Sequence, residues 1–399
     1  MRIAFVGVGY FPGLMASEKN FYLELLPLIQ DRVDDVIVIS INDQTREIFS
    51  QITNNEPIPV YNFKRPFHRD GYDRFLKMVN GKYCYHHRHG PAQEMVEKYL
   101  VLIMNIEKIR KIIETHKIDI VYFMDNFGFG MGYLKRKLLK KTIFAAANYD
   151  PRGRFFNLFQ MKFIRNLDLI VTYSHAYKLI LRNMGIKNNQ IEVIHWGVDP
   201  EKIKPLDDAV KQMTRKHHGI NYPNFFILWS GYIQQIQEKD FYLTISAAKK
   251  IVSQRQDIQF IFCFKPETYK SICGNEKCKG IQVISGTDNF RDLLGSADLF
   301  LSPTHKLSST VSPPLTWLEA MSTEIPVMTT KIMGADEIIL DGKTGYISEN
   351  YSAIAQDINK VINSGIKRDM KLKARKMIED NYNIHNAADN YARKLGALL

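Results

Sequence analysis

Residues 299–349 read LFLSPTHKLSSTVSPPLTWLEAMSTEIPVMTTKIMGADEIILDGKTGYISE, and this stretch decides the fold. An apolar run, Leu299–Leu301, ends in Ser302-Pro303, passes a polar loop and enters a helix-length segment that carries Glu319. A second short apolar run, Ile325–Met328, follows, and then Gly334-Ala335-Asp336-Glu337 and Asp341-Gly342. Strand, polar loop and helix start in that order make a site for an anionic ligand, because unpaired backbone N–H groups and the helix dipole face it. An acidic side chain one to two turns into that helix can then accept hydrogen bonds from sugar hydroxyls. The combination suits a nucleotide-sugar.

Outward from this stretch, short apolar runs alternate with helix-length amphipathic segments almost throughout, the pattern of a parallel α/β architecture. Strands are expected over 2–7, 36–41, 119–124, 142–147, 168–173 and 191–195 in the first half. In the second half they are expected over 225–230, 258–264, 281–284, 298–302 and 326–329. Segment 93–116 places Met95, Leu100, Ile103, Ile106, Ile109 and Ile113 on one helical face. Segment 352–399 reads as helices, whereas 55–92 lacks clear periodicity and reads as an irregular insertion. The polar stretch from Gly197-Val198-Asp199-Pro200 to Pro205 is the natural linker, leaving one β/α series on either side, each with a ligand edge beyond the carboxyl ends of its strands. Asp168-Leu169-Ile170 and Asp298-Leu299-Phe300 look alike, but a likeness this short needs no cause beyond chance.

At 399 residues the chain can bury two cores. Its composition, 45% hydrophobic and 24% charged, is that of an ordinary globular protein. Four cysteines, at 84, 263, 273 and 278, make no disulfide framework and fit a reducing compartment. Cys273-x4-Cys278 is half a metal site with no second half, so no metal is expected. No run approaches the roughly 18 apolar residues that span a bilayer. The opening MRIAFV could imitate a signal peptide, but Gly7, Gly9, Pro12 and Gly13 break it and it reads as a first buried strand. A cytoplasmic location follows.

The net charge is +12, and all of it resides between residues 61 and 165, where 21 Lys/Arg face 9 Asp/Glu. Nucleic acid, an anionic membrane face and a phosphorylated acceptor would each explain such a field, as would a merely solvated basic surface. Within it, 61–89 interleaves seven Lys/Arg with seven Tyr/Phe and four His, and Tyr133–Lys141 reads as a basic helix. The first could grip an acceptor or lipid head group, and the second could lie on the inner face of a membrane.

The second half resembles the retaining glycosyltransferases of family four. Their pattern is approximately S-x-x-E-x-F-G-L-x-x-x-E-A-M-A-x-G-x-P-V followed by G-G-x-x-E-x-V-x-D-G-x-x-G. This chain has Ser312-Pro313-Pro314-Leu315, Glu319-Ala320-Met321-Ser322, Ile325-Pro326-Val327, Gly334-Ala335-Asp336-Glu337-Ile338 and Asp341-Gly342-Lys343-Thr344-Gly345. Asp168–Ser174 and Ile191–Asp199 are similar to the family's D-x-I-x-x-x-S and V-I-x-N-G-V-D segments, so the likeness runs over roughly 168–350 with order kept. It implies the GT-B fold, two Rossmann-like lobes facing across a cleft, with C-terminal helices crossing back to the first. The corresponding limits are 1–197 for an acceptor-side lobe, 198–380 for a nucleotide-sugar lobe and 381–399 for the returning helix. Implied with it is sugar transfer from a nucleotide-sugar to an anionic, lipid-linked or glycan acceptor, with retention of configuration and without nucleic acid.

Residue by residue, the resemblance gives Glu319 the nucleotide ribose and puts Ser312, Pro314 and Leu315 at the donor's helix start. Gly231 ends the strand before the phosphate loop, and Lys239 meets the diphosphate, two positions late in GYIQQIQEKD. By position, Lys265 after strand 258–264 and His305 after strand 298–302 join the donor side. On the acceptor side stand Gly9 and Gly13 of the glycine-rich first loop, with Asp125, Asn148 and Asp150 after their strands. Each has an ordinary alternative: a helix-favouring glutamate, solvated lysines, a structural loop histidine. The family's first glutamate falls at Val311, its phosphate-binding arginine at Tyr232 and its usual histidine near Asn148-Tyr149-Asp150. No nucleophile–base pair stands out; in a one-face retaining transfer the leaving phosphate itself can take the acceptor proton, leaving the protein to position and neutralise. The alternative reading is a catalytically degenerate, nucleotide-sugar-binding relative.

Overall fold

The computed structural model describes residues 1–8, 16–41, 58–63, 104–124, 138, 140–146, 164–221, 223–231, 235–264, 279–285, 289–305 and 314–399. Two compact units emerge. The first comprises Met1–Tyr173, Tyr177–Ile194 and Ala387–Leu399; the second comprises Ser174–Ala176 and His195–Asn386. The chain therefore passes to the second unit at His195 and returns to the first at Ala387.

The first unit is built on a parallel sheet of β1 (Arg2–Val8), β2 (Asp35–Ile41), β3 (Val60–Asn62), β4 (Ile120–Phe123), β5 (Lys141–Ala146), β6 (Leu169–Thr172) and β7 (Ile191–Val193), ordered β3-β2-β1-β4-β5-β6-β7. Strands such as IVYF and LIVT are buried at every position, as a sheet covered on both faces requires. Among the described residues its helices include α1 (Ala16–Gln30), α2 (104–115) and α3 (His175–Asn183), whose first two residues group with the second unit. Ile106, Ile109 and Ile113 are buried on α2, while the remaining positions of that expected face lie outside the described residues. β3 falls within the stretch that shows no periodicity: three residues are too few to display a period.

The last helix, α10 (Ile384–Gly396), buries Ala387, Ala388, Tyr391 and Leu395 along one stripe. Tyr391 joins Tyr22, Tyr122 and Tyr173 in a cluster where every side chain is at most 1% exposed. The Tyr22 and Tyr173 hydroxyls lie 2.7 Å apart, those of Tyr122 and Tyr391 3.1 Å apart, and Tyr22 donates to Tyr122 at 3.5 Å. Hydroxyls both donate and accept, so the four buried phenols link into one chain of hydrogen bonds.

The second sheet runs β10 (Ile281–Ser285), β9 (Ile258–Phe264), β8 (Phe225–Gly231), β11 (Leu299–Leu301), β12 (Val327–Thr330), β13 (Gly345–Ser348), all parallel. Around it lie α4 (Asp208–His217), α5 (Gln235–Val252), α6 (Phe290–Gly295), α7 (Leu315–Ser322), α8 (Tyr351–Ser364) and α9 (Arg368–Asn381). The strand order reverses between β8 and β11, and ligands of open parallel sheets bind outside the carboxyl ends at such a point. Gly197–Pro200, expected as a polar linker, is instead buried: Val198 N–H donates to Tyr382 O at 2.9 Å and its carbonyl accepts from Ile384 N–H at 3.0 Å. A Cβ on Gly197 would meet the Ile384 backbone at 2.6 Å, so only glycine permits that pairing.

The likeness of Asp168-Leu169-Ile170 to Asp298-Leu299-Phe300 turns out to have a cause. Asp298 N–H donates to Phe226 O at 2.8 Å while its carboxylate accepts Phe226 N–H at 2.7 Å. Asp168 does the same with Thr142, at 3.1 and 2.8 Å, and Asp119 with Arg2, at 2.9 and 2.8 Å. An aspartate just ahead of a central strand thus closes the first rung of the parallel ladder on its neighbour, satisfying an N–H that the slanted pattern would leave over. At Asp298 the Arg215 guanidinium, 2.9 Å away and 11% exposed, completes the arrangement.

Two outcomes are expected. Asp298→Ala takes the counter-charge from Arg215 and the acceptor from the Phe226 N–H, and should lower unfolding free energy in urea by about 2 kcal/mol. Burial, first, and the neighbouring phenols raise the Tyr22 and Tyr122 pKa values, and burial raises that of Tyr391. The folded protein therefore keeps protons that the unfolded chain releases above about pH 10, so this stability is intact below that pH and falls as pH rises beyond it. Urea midpoints should drop between about pH 9 and about pH 11, and less steeply in Tyr22→Phe/Tyr391→Phe.

Candidate functional site

At the carboxyl edge of the second sheet, β8 ends on Gly231, where a Cβ would lie 2.4 Å from the Trp229 ring. Trp229 belongs to an aromatic group with Phe241, Phe262 and Phe264, so glycine here keeps the strand end clear for that indole. On α5, Lys239 is exposed and Asp240, one residue on, is buried. The alternation follows from Phe241, which anchors this face of the helix in the aromatic core.

After β11 the chain stays extended and tied down. Ser302 N–H donates to Met328 O at 2.9 Å, the Thr329 hydroxyl donates to Ser302 O at 2.9 Å, and Thr304 N–H donates to the Thr330 hydroxyl at 2.9 Å. His305 ends this described segment, and Asp240 receives it: Oδ1 accepts the His305 backbone N–H at 2.9 Å and lies 2.6 Å from ring Nδ1. The same oxygen accepts the Tyr351 hydroxyl at 2.6 Å, and Oδ2 accepts the Thr304 hydroxyl at 3.5 Å. One carboxylate therefore joins α5, the loop after β11 and the start of α8. Burial, then the bond to Asp240, pushes the Tyr351 phenol far above its ordinary range, so its hydroxyl is a permanent donor.

α7 begins at Leu315 behind Pro314, whose φ of −63° and ψ of 131° place it at the N-cap without a side-chain capping bond. Leu315, Trp317, Leu318, Ala320, Met321 and Ser322 are buried, whereas Pro314, Thr316 and Glu319 are half-buried on the remaining face. Trp317 Nε1–H donates to the Ser302 hydroxyl at 2.8 Å, pinning the helix to the strand end that precedes it. This edge thus offers backbone N–H groups at a helix start, a lysine, an imidazole and, a turn further along α7, a carboxylate. Such a set can meet a diphosphate and a ribose together.

Other motif residues are scaffold. Gly334 has φ of +86° and leads into a short turn whose Glu337 carboxylate accepts the N–H groups of His175, at 2.8 Å, and Ala176, at 2.7 Å. Asp341 accepts Ile347 N–H at 2.8 Å, Gly342 turns with φ of +70°, and a Cβ on Gly345 would meet Val327 O at 2.5 Å. These residues build the entry into β13.

Gly231, Lys239, His305, Pro314, Leu315 and Glu319 therefore share the second unit. Lys265, Ser312, Gly9, Gly13, Asp125, Asn148 and Asp150 lie outside the described residues, as do Tyr232 and Val311. Sequence reasoning missed Asp240 and Tyr351. A signal existed only for Asp240, an acidic residue in an apolar helix face directly after a candidate lysine. Among the described residues no group of three or more His, Cys, Asp or Glu could hold a metal ion, and no helix is long and apolar enough to cross a membrane.

Known proteins are similar to this chain in sequence and fold. Residues 210–382 match the model of glycosyl transferases group 1, and residues 60–202 that of Glycosyltransferase Family 4. The capsular polysaccharide biosynthesis glycosyltransferase CapM of Staphylococcus aureus is 27% identical over 227 residues, which is 54% of this chain and 57% of that relative. The uncharacterized glycosyltransferase MJ1069 of Methanocaldococcus jannaschii is 22% identical over 337 residues, 76% of this chain and 82% of the relative. Among solved structures, Anabaena HepE in complex with UDP-glucose superposes with a TM-score of 0.73 at 14% identity, covering 100% of both chains. The fold is that of the GT-B glycosyltransferases, and the two domain matches together support a nucleotide-sugar-dependent transferase.

Proposed function

We propose that the protein transfers a sugar, with retention of configuration, from a uridine diphosphate sugar to a growing surface glycan or its lipid-linked precursor. The observation that carries this reading is a coincidence of place. The group 1 match, residues 210–382, contains the sheet edge where Lys239, His305, the α7 start and Glu319 gather. In this reading Glu319 accepts the ribose hydroxyls and Lys239, with Lys265, meets the diphosphate. Ser312, Pro314 and Leu315 supply the helix start, and Gly231 leaves room at the strand end. The UDP-glucose held by HepE supports a uridine donor, and the name of CapM supports a polysaccharide acceptor.

The acceptor falls to the first unit, through Gly9, Gly13, Asp125, Asn148 and Asp150, with the basic 61–165 stretch facing an anionic acceptor or the inner membrane leaflet. No metal is needed, because lysines and backbone N–H groups offset the diphosphate charge. The protein would be cytoplasmic and peripheral. Val311 and Tyr232 favour one rival, a relative that binds nucleotide-sugars without turnover.

Nucleotide release from UDP-, GDP- and ADP-sugars, with membrane extract as acceptor source, tests the reading. One nucleotide, uridine diphosphate, should be released in an extract-dependent way, and Glu319→Ala should lower kcat/KM by about a hundredfold, the cost of two lost charged hydrogen bonds. Donor binding without release would favour the rival. The anomeric configuration of the product, read by proton NMR coupling, should match that of the donor, and inversion would remove retention from the account.

A further inference from the structure

Asp240 is a carboxylate in an expensive place. Its side chain is 6% exposed, and a buried charge is tolerated only when its lone pairs are taken up by good donors. Pinning the loop after β11 would need one of these bonds, the one from the His305 backbone N–H. The ring of His305, 22% exposed at its side chain, is held as well, with Nδ1 at 2.6 Å. Tyr351, on another element, presses its hydroxyl onto the same oxygen at 2.6 Å, which leaves Oδ1 accepting three donors. An oxygen so loaded is that of an ionised carboxylate, an acceptor only, and Nδ1 must therefore carry the ring proton that faces it. Orientation and tautomer of the imidazole are both set from the buried side, and Nε2 is carried on the opposite edge of the ring.

We propose that Asp240 is a positioning residue of the donor site: by holding Nδ1–H of His305 it presents Nε2–H to a phosphate oxygen of the nucleoside diphosphate. The inference rests on the donor-site reading above. His305 follows β11, one of the two strands at the switch point, and Asp240 follows Lys239 on the helix after β8, the other. The pair thus bridges the two strand ends between which a diphosphate would lie. A ring that donates Nδ1–H to Asp240 and Nε2–H to a phosphate oxygen is by definition an imidazolium, whose charge Asp240 offsets. The pair then adds a charge-assisted donor to phosphate without a net charge, the second-layer arrangement by which carboxylates fix ligand-binding histidines. Tyr351 keeps Asp240 from turning its acceptor lobe elsewhere.

Calorimetric titration of the full chain with uridine diphosphate tests this, using wild type, His305→Ala, Asp240→Asn, the double variant and Glu319→Ala. His305→Ala and Asp240→Asn should each weaken binding about tenfold, and the double variant should be no weaker than His305→Ala, because Asp240 acts through the ring. In imidazole-labelled protein, the nitrogen signal that disappears in His305→Ala should move when the nucleotide is added to wild type and stay still in Asp240→Asn. Additive losses, or wild-type affinity in both single variants while Glu319→Ala still weakens binding, would overturn the inference and leave the donor site standing. Failure of wild type to bind uridine, guanosine or adenosine diphosphate would overturn the donor-site reading and this inference with it. If Asp240→Asn does not fold, His305→Ala decides alone: it must weaken binding about tenfold, and unchanged affinity overturns the proposal.

Discussion

A parallel sheet covered on both faces can meet a ligand only at its ends, and this constraint organises the whole chain. Strand interiors are given over to Ile, Val, Leu and Phe, so polar function is pushed to the edges. At the amino edge, Asp119, Asp168 and Asp298 each close the first rung of a ladder on the neighbouring strand. At the carboxyl edge of the second sheet the polar groups serve a different end. Ser302, Thr304, Thr329 and Thr330 lock the chain beyond β11, and Asp240 draws His305 and Tyr351 to one point.

The same division separates the motif pieces into two kinds of work. Gly334, Glu337, Asp341, Gly342 and Gly345 shape the backbone or satisfy N–H groups, and their chemistry is used up internally. Glu319 lies on the half-buried face of α7 and Lys239 is exposed on α5, and these are the residues that the proposed function gives to a ligand. Position alone distinguishes the kinds: Glu337 and Glu319 are both glutamates of the pattern, eighteen residues apart, yet the carboxylate of one caps N–H groups and the other lines the sheet edge.

Much of the fold was legible because parallel strands buried on both faces are short, continuous and apolar, as LFL, IVYF and LIVT are. β3 and β13 escaped, the first through brevity and the second because its Gly-Tyr-Ile-Ser alternates weakly. Gly197–Pro200, read as a linker, follows directly on the passage between units at His195, but its burial was not legible, because its backbone pairs with Asn383 and its neighbours, which no local pattern encodes. The helix after β11 and the place of Glu319 on it were legible from spacing, while their part in binding belongs to the proposal. The Asp240–His305–Tyr351 junction was not, since its members are separated by 65 and 111 residues from Asp240 and meet only through the tertiary fold.

The central claim is that the carboxyl edge of the second sheet holds the nucleotide-sugar. Amide hydrogen exchange with and without saturating UDP-glucose tests it most directly, because backbone N–H groups are the proposed contacts. The account predicts slower exchange in the first turn of 315–322, with 120–123 and 169–172 unchanged. Slowing confined to the first unit, with the α7 start exchanging as before, would contradict it.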